Sequence, residues 1–231
     1  PIVLVGQKVK KGECLAEAQG MVSAPVHAPT SGTVLAVADV TAPHPSGLAM
    51  PAIMLEPDGL DEWIELKGCD DPFALSPAEI NKKVAAAGVV GMGGGIFPSA
   101  VKLTGANRAG IHTVIINGGE CEPYLSCDDV LMRTQAAGIV AGVRLIVHAS
   151  GAKRALIGIE DNKPEAIAAM QAAAAGYDTV RVCPVPARFP MGFDKQMVKT
   201  LTGIEVPADG RSFDAGVLVN NVGTALAVWQ A

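Results

Sequence analysis

Along the first sixty residues, short β-branched runs are cut at close intervals by Gly and Pro, the pattern of a small all-β unit. Strands are predicted at Val3–Val5, Ala24–Val26 and Gly32–Val37, and at Ile53–Leu55 after the turn-rich His44-Pro45-Ser46-Gly47. Residues 59–75 hold Asp, Gly and Pro and few periodic apolar positions, which predicts a linker. The rhythm changes at Ser76-Pro77-Ala78-Glu79, a capping box with Pro at the first helical position. It opens a predicted helix over 78–87 that Gly88 should stop. A Gly-rich loop follows at 91–95, then a short segment from Pro98 to Leu103 and a strand over 113–117. One long helix is predicted over 128–149, then strand 155–159, helix 164–175, strand 179–185, helix 195–201 and strand 216–222. Strands alternating with helices predict an α/β domain with a mostly parallel, Rossmann-like sheet covered on both faces. The expected division is therefore 1–70, a β-rich unit with its linker, and 71–231, the α/β domain.

Composition narrows the class. Hydrophobic residues make up 49% of the 231 positions but aromatic ones only 4%, so Ala, Val, Ile and Leu must build the cores. Disorder is excluded. A net charge of −5 argues against a protein built to bind phosphate backbones, so no nucleic-acid partner is expected. The apolar stretch 136–148 is interrupted by Arg144 and is shorter than the roughly 20 residues a membrane span needs. It reads as a buried helix. Five cysteines without a C-x-x-C pair form neither a disulfide framework nor a zinc or iron–sulfur site, which suits a reducing cytoplasm. Cys121 and Cys127 are expected to be small buried or half-buried groups. The four histidines do not cluster, so no metal site is expected. With no initiator Met, no signal peptide and a last stretch that reads as mid-helix, the chain is expected to be a piece of a longer protein.

Candidate chemistry gathers where predicted strands run into loops, the end of a parallel sheet at which ligands bind. Gly91-Met92-Gly93-Gly94-Gly95-Ile96-Phe97-Pro98 exposes backbone N–H groups and lets a phosphate or flat ring approach. Pro98 presets a helix start, and Lys102 lies one turn further on. A tight turn packed on the sheet fits this loop equally well. Asn117-Gly118-Gly119-Glu120-Cys121-Glu122-Pro123-Tyr124 puts two carboxylates at a strand end, suited to accept from hydroxyls or a ring N–H. Asn220-Asn221-Val222-Gly223-Thr224 joins a strand to a helix and could serve as an anion cradle or simply as a helix cap. Phe189 to Lys195 is a fourth such junction.

At these loops the sequence resembles the RnfC subunit of the Rnf electron-transport complex. Residues 91–103 are similar to that family's flavin loop, G-x-G-G-A-G-F-P-T-x-x-K, with a related loop in the flavin subunit of respiratory complex I. Ile116 to Tyr124 resembles its I-N-x-x-E-C-E-P-Y loop, and residues 157–164, 195–203 and 221–225 match in order. The start is similar too, in Val26-His27-Ala28-Pro29-Thr30-Ser31-Gly32-Thr33-Val34 and His44-Pro45-Ser46-Gly47. This implies a barrel-sandwich hybrid domain ahead of an FMN/NADH-binding domain. It also implies membership of an ion-translocating complex that moves electrons between NAD(H) and ferredoxin-type centres through FMN. The family carries two 4Fe-4S clusters in a C-terminal region, and none is expected in this chain. Its place would be peripheral, on the cytoplasmic face of the bacterial inner membrane, against the other subunits of the complex. Carried over by motif, the cofactor contacts are Gly91, Gly93, Gly94, Lys102, Asn117, Glu120, Glu122, Asn220, Asn221 and Thr224. Phe97 would stack the dinucleotide, and Glu122, beside the nicotinamide, would be the catalytic group.

Two departures bear on the flavin rather than on the fold. Ile96 stands where the family has Gly, and a β-branched residue resists positive φ. Phe193 replaces a small residue and is expected to crowd the same pocket. Both favour an alternative, a flavin-free scaffold like the related NqrA component of the sodium-pumping NADH:quinone reductase. A cobalamin reductase of bacterial microcompartments is a third possibility. Residues 5–15 with Ser31-Gly32-Thr33-Val34 also resemble the hammerhead of biotinyl and lipoyl carriers. The predicted tip Gln19-Gly20-Met21-Val22 lacks the carrier Lys, so a docking module is expected instead.

Overall fold

The computed structural model describes residues 1–231 and divides into two compact units, Pro1–Cys69 and Asp70–Ala231. The first is a barrel-sandwich arrangement of two small antiparallel sheets. One sheet orders β1 (Lys8–Val9), β4 (Gly32–Thr41) and β5 (Ala49–Pro57), and the other pairs β2 (Cys14–Ala16) with β3 (Val26–His27). Val3, Val9, Leu15, Ala28 and Val34 form its core. Residues 3–5 are not a strand, contrary to expectation. Only Val3 is buried, Leu4 and Val5 face solvent, and Leu4 N donates to Gln7 Oε1 as the chain turns. The β4–β5 hairpin is longer than its apolar runs suggested, with a bulge between Val34 and Ala36.

The second unit opens with α1 (Pro77–Ala86), where Ser76 and Glu79 exchange the two bonds of a capping box. α2 (Ser99–Ala109) follows, and then β6 (Thr113–Gly118), α3 (Cys127–Thr134), α4 (Ala136–Ser150) and β7 (Arg154–Glu160). The chain continues through α5 (Pro164–Ala174), β8 (Val180–Val185), α6 (Asp194–Thr202), β9 (Val217–Asn221) and α7 (Val222–Gln230). Every strand pair in this sheet is parallel, in the order β8-β7-β6-β9. Alternate residues serve opposite faces. Val114 and Ile116 pack under α4, α5 and α7, whereas Ile115 packs with Met197 and Val198 of α6. Taken in chain order the sheet reads 3-2-1-4, the first part of a doubly wound sheet. Its winding reverses between β6 and β9, the crevice where such sheets hold ligands.

The single long helix expected over 128–149 is two, α3 and α4, bent 96° apart at Gln135. α3 is tied at its start to the loops beyond the sheet, while α4 must lie against α7, and one straight helix cannot do both. The α4–α7 crossing is close because Gly142 carries no side chain; a Cβ there would lie 1.8 Å from Ala225 O. No helix is long and apolar enough by itself to cross a membrane.

Candidate functional site

The crevice between β6 and β9 is bounded by three loops that hold one another in place. Met92 N donates to Thr224 Oγ1 at 2.9 Å, fixing the Gly-rich loop to the first turn of α7. A Cβ on Gly93 would lie 3.3 Å from Asn221 Cβ, whereas one on Gly94 or Gly95 would meet nothing within 4 Å. The floor is therefore pinned on one side and open on the other. Gly91 closes the loop by donating to Phe97 O at 2.9 Å and accepting from Ile96 N at 3.2 Å. Gly94, at φ +89°, needs the freedom that glycine has. Ile96 adopts φ +46°, the left-handed conformation suited to glycine, with its side chain 70% exposed. A β-branched residue in that region strains the loop.

The second loop is wired through its side chains. Asn117 Nδ2 donates to Gly192 O at 2.7 Å and Asn117 Oδ1 accepts from Gly119 N at 2.9 Å, so both ends of its amide are engaged. Gly192 N donates to Cys121 Sγ at 2.9 Å. A Cβ on Gly192 would lie 2.6 Å from that sulfur and 2.8 Å from Gly119 O, so only glycine lets the two backbones meet. Glu120 points inward with its side chain 4% exposed. Its carboxylate accepts from Asp128 N at 3.0 Å and Asp129 N at 3.3 Å, capping α3, and pairs with Lys163 Nζ at 3.1 Å. Burial pushes this carboxyl up, but the hydrogen bonds from Asp128 and Lys163 outweigh it and leave the group below its ordinary range. Glu122, two residues on, is exposed and accepts only through its carbonyl, from Leu125 N.

In the third loop, Asn221 caps α7 by accepting from Gly223 N at 2.7 Å, and its Nδ2 donates to Asp128 Oδ2 at 2.6 Å. Asn220 and Thr224 are buried beside it. Lys102 lies underneath, half-buried, with Nζ donating to Val219 O at 3.1 Å; burial lowers its pKa. Ser99, the first residue of α2, is 3% exposed, and its Oγ has no partner. Phe97 is partly exposed at the loop's end, and Phe193 is half-exposed rather than filling the crevice.

The structure thus gathers Gly91, Gly93, Gly94, Lys102, Asn117, Glu120, Asn220, Asn221 and Thr224 around one strand junction, with Phe97 and Glu122 on the surfaces of its loops. Sequence reasoning passed over Asp128, Lys163, Glu160 and Ser99. Asp128 was visible as part of Cys127-Asp128-Asp129 at a helix start, but Lys163 lies 43 residues from the carboxylate it pairs with. Cys127 is exposed rather than buried or half-buried, because the first position of α3 faces outward. Beside the crevice, a cavity of about 200 Å³ is lined by Glu120, Cys121, Glu160, Arg188 and Phe189 among others.

Comparison with known proteins relates both units to known families. Residues 84–230 match the family model of the Nuo51 FMN-binding domain, which sets the second unit in that class of α/β domain. Residues 1–60 match the RnfC barrel sandwich hybrid domain. Three similar proteins each bear the name of the C subunit of an ion-translocating oxidoreductase complex. The protein from Pseudomonas aeruginosa is 48% identical over 100% of this chain and 30% of its own length. That from Haemophilus influenzae strain 86-028NP is 44% identical over 100% of this chain and 34% of its own. That from Rhodobacter capsulatus is 49% identical over 100% of this chain and 45% of its own. The chain belongs to this family, the RnfC-type subunits of ion-translocating oxidoreductase complexes. It spans less than half the length of these relatives. Among solved structures, an NAD+-reducing [NiFe]-hydrogenase in the H2-reduced state aligns with a TM-score of 0.60 and 25% identity. The alignment covers 69% of this chain and 31% of the other.

Proposed function

We propose that the second unit holds FMN in the β6–β9 crevice and exchanges electrons between it and NAD(H), as part of a membrane-associated oxidoreductase complex. The observation that carries this reading is the glycine floor at the winding reversal, pinned by Met92 N to Thr224 yet open over Gly94 and Gly95. The residues present fit the group. Open glycine backbone suits a flat ring, and the unpartnered Ser99 Oγ at the start of α2 with half-buried Lys102 suits a phosphate. Gly91, Gly93, Gly94, Asn117, Asn220, Asn221 and Thr224 would line the cofactor. Bound FMN supplies hydride exchange with the nicotinamide and one-electron exchange with iron–sulfur centres.

The chain's own part is to bind, orient and exclude water. Glu120 keeps the start of α3 ordered, and exposed Glu122 offers a carboxylate to the dinucleotide, with Phe97 as the ring on which it stacks. Onward transfer to ferredoxin-type 4Fe-4S centres, carried outside these residues, and docking on the cytoplasmic face of the inner membrane belong to the same proposal. The test is anaerobic. NADH added to the FMN-loaded chain should bleach the flavin absorbance, and an unchanged spectrum would count against the reading. The flavin-free scaffold is the second reading, and the strained backbone at Ile96 is the observation in its favour.

A further inference from the structure

The three loops around the crevice are joined by one continuous line of polar contacts. Lys163 Nζ lies 3.1 Å from Glu120, whose carboxylate receives Asp128 N at 3.0 Å. The Asp128 carboxylate receives Asn221 Nδ2 at 2.6 Å, and Asn221 Oδ1 receives Gly223 N at 2.7 Å in the first turn of α7. Thr224, the next residue, receives Met92 N from the glycine floor. At its other end, Glu160 closes β7 with 6% exposure and accepts from Glu120 N at 3.4 Å.

Lys163 is the cation of this line. It sits just after β7, 17% exposed, with Glu120, Asp128 and Glu160 all within its electrostatic reach. Removing one partner from a buried charged contact leaves the other uncompensated. Glu120 without Lys163 would have to turn toward water, and it cannot do so while still capping α3. Loss of that cap loosens Asp128, and with it the hold on Asn221.

We infer that Lys163 is a positioning residue for the flavin crevice, acting through Glu120, Asp128 and Asn221 to set the Gly-rich loop. The inference rests on the FMN reading, but it has consequences that do not need flavin. In the full chain, Lys163→Met should speed amide exchange at Asp128 and Met92 while amides of β6 such as Ile115 keep wild-type protection. FMN titration by fluorescence quenching should show affinity about tenfold weaker in Lys163→Met, the scale expected on losing a charged hydrogen bond. Lys163→Arg should restore both to near wild type, which a residue of general structural use would not require. If Lys163→Met fails to fold, Lys163→Gln, which keeps a donor without the charge, carries the same comparison. Wild-type exchange at Met92 and Asp128 in the uncharged variant would overturn the inference, whatever the flavin result. Faster exchange there in Lys163→Met, together with a wild-type chain that takes up no FMN, would overturn only its link to flavin and the functional reading with it.

Discussion

Ile96 offers a sharp test of the site's geometry because two opposite effects can be separated there. An L-residue in the left-handed region costs about 1–2 kcal/mol, and a β-branched one sits at the upper end. Replacing Ile96 by Gly removes that cost at φ +46°, but adds about 0.5–1 kcal/mol of backbone entropy and loses the modest burial of a side chain already 70% exposed. The terms nearly cancel, so Ile96→Gly should lie within about 1 kcal/mol of wild type. Ile96→Ala loses the same contacts and relieves little strain. Gly should therefore be the more stable variant by about 1 kcal/mol, the reverse of their usual order. Urea unfolding of the two variants, compared at equal slope, measures this directly. Ala equal to or better than Gly would refute the left-handed backbone and the strain argument with it. FMN titration of the same proteins decides between the two functional readings: uptake by Ile96→Gly alone supports the scaffold.

Other substitutions probe the frame that positions the loops. Gly142→Val should destabilise by about 3 kcal/mol in urea titrations, since a Cβ would fall 1.8 Å from Ala225 O. Asn221→Ala removes the cap of α7 and the partner of Asp128, and should cost about 2 kcal/mol by the same assay. Glu160→Gln should raise thermal stability at neutral pH. Burial lifts the folded-state pKa of Glu160, so its ionised form burdens the fold once pH has risen through that value. The gain should disappear as pH falls below the unfolded pKa of about 4.3, where both states are protonated. A gain that persists in acid would contradict that assignment.

Much of this arrangement was legible in the pattern of residues, and the exceptions are instructive. Continuous apolar runs such as Val114-Ile115-Ile116, alternating with helices, and the glycine density at 91–95 pointed to a parallel sheet with open loops at its ends. The bend at Gln135 was hidden because no Pro interrupts residues 127–150, and only the tertiary ties of α3 and α4 divide them. The role of Glu120 was hidden for a related reason. Ser126, the residue in capping position, makes no cap bond, and the carboxylate that does so reaches back from an earlier loop. Val3 to Val5 misled in the opposite direction, since three apolar residues in a row fit a strand even where one alone is buried.

Flavin held in the β6–β9 crevice can be read there amide by amide. Titrating FMN into isotopically labelled chain and following backbone N–H resonances should perturb Gly91 to Gly95, Ser99, Gly119 and Glu120, and Gly223 and Thr224, saturating at one flavin per chain. Resonances that stay in place there, or that move only elsewhere on the molecule, would contradict it.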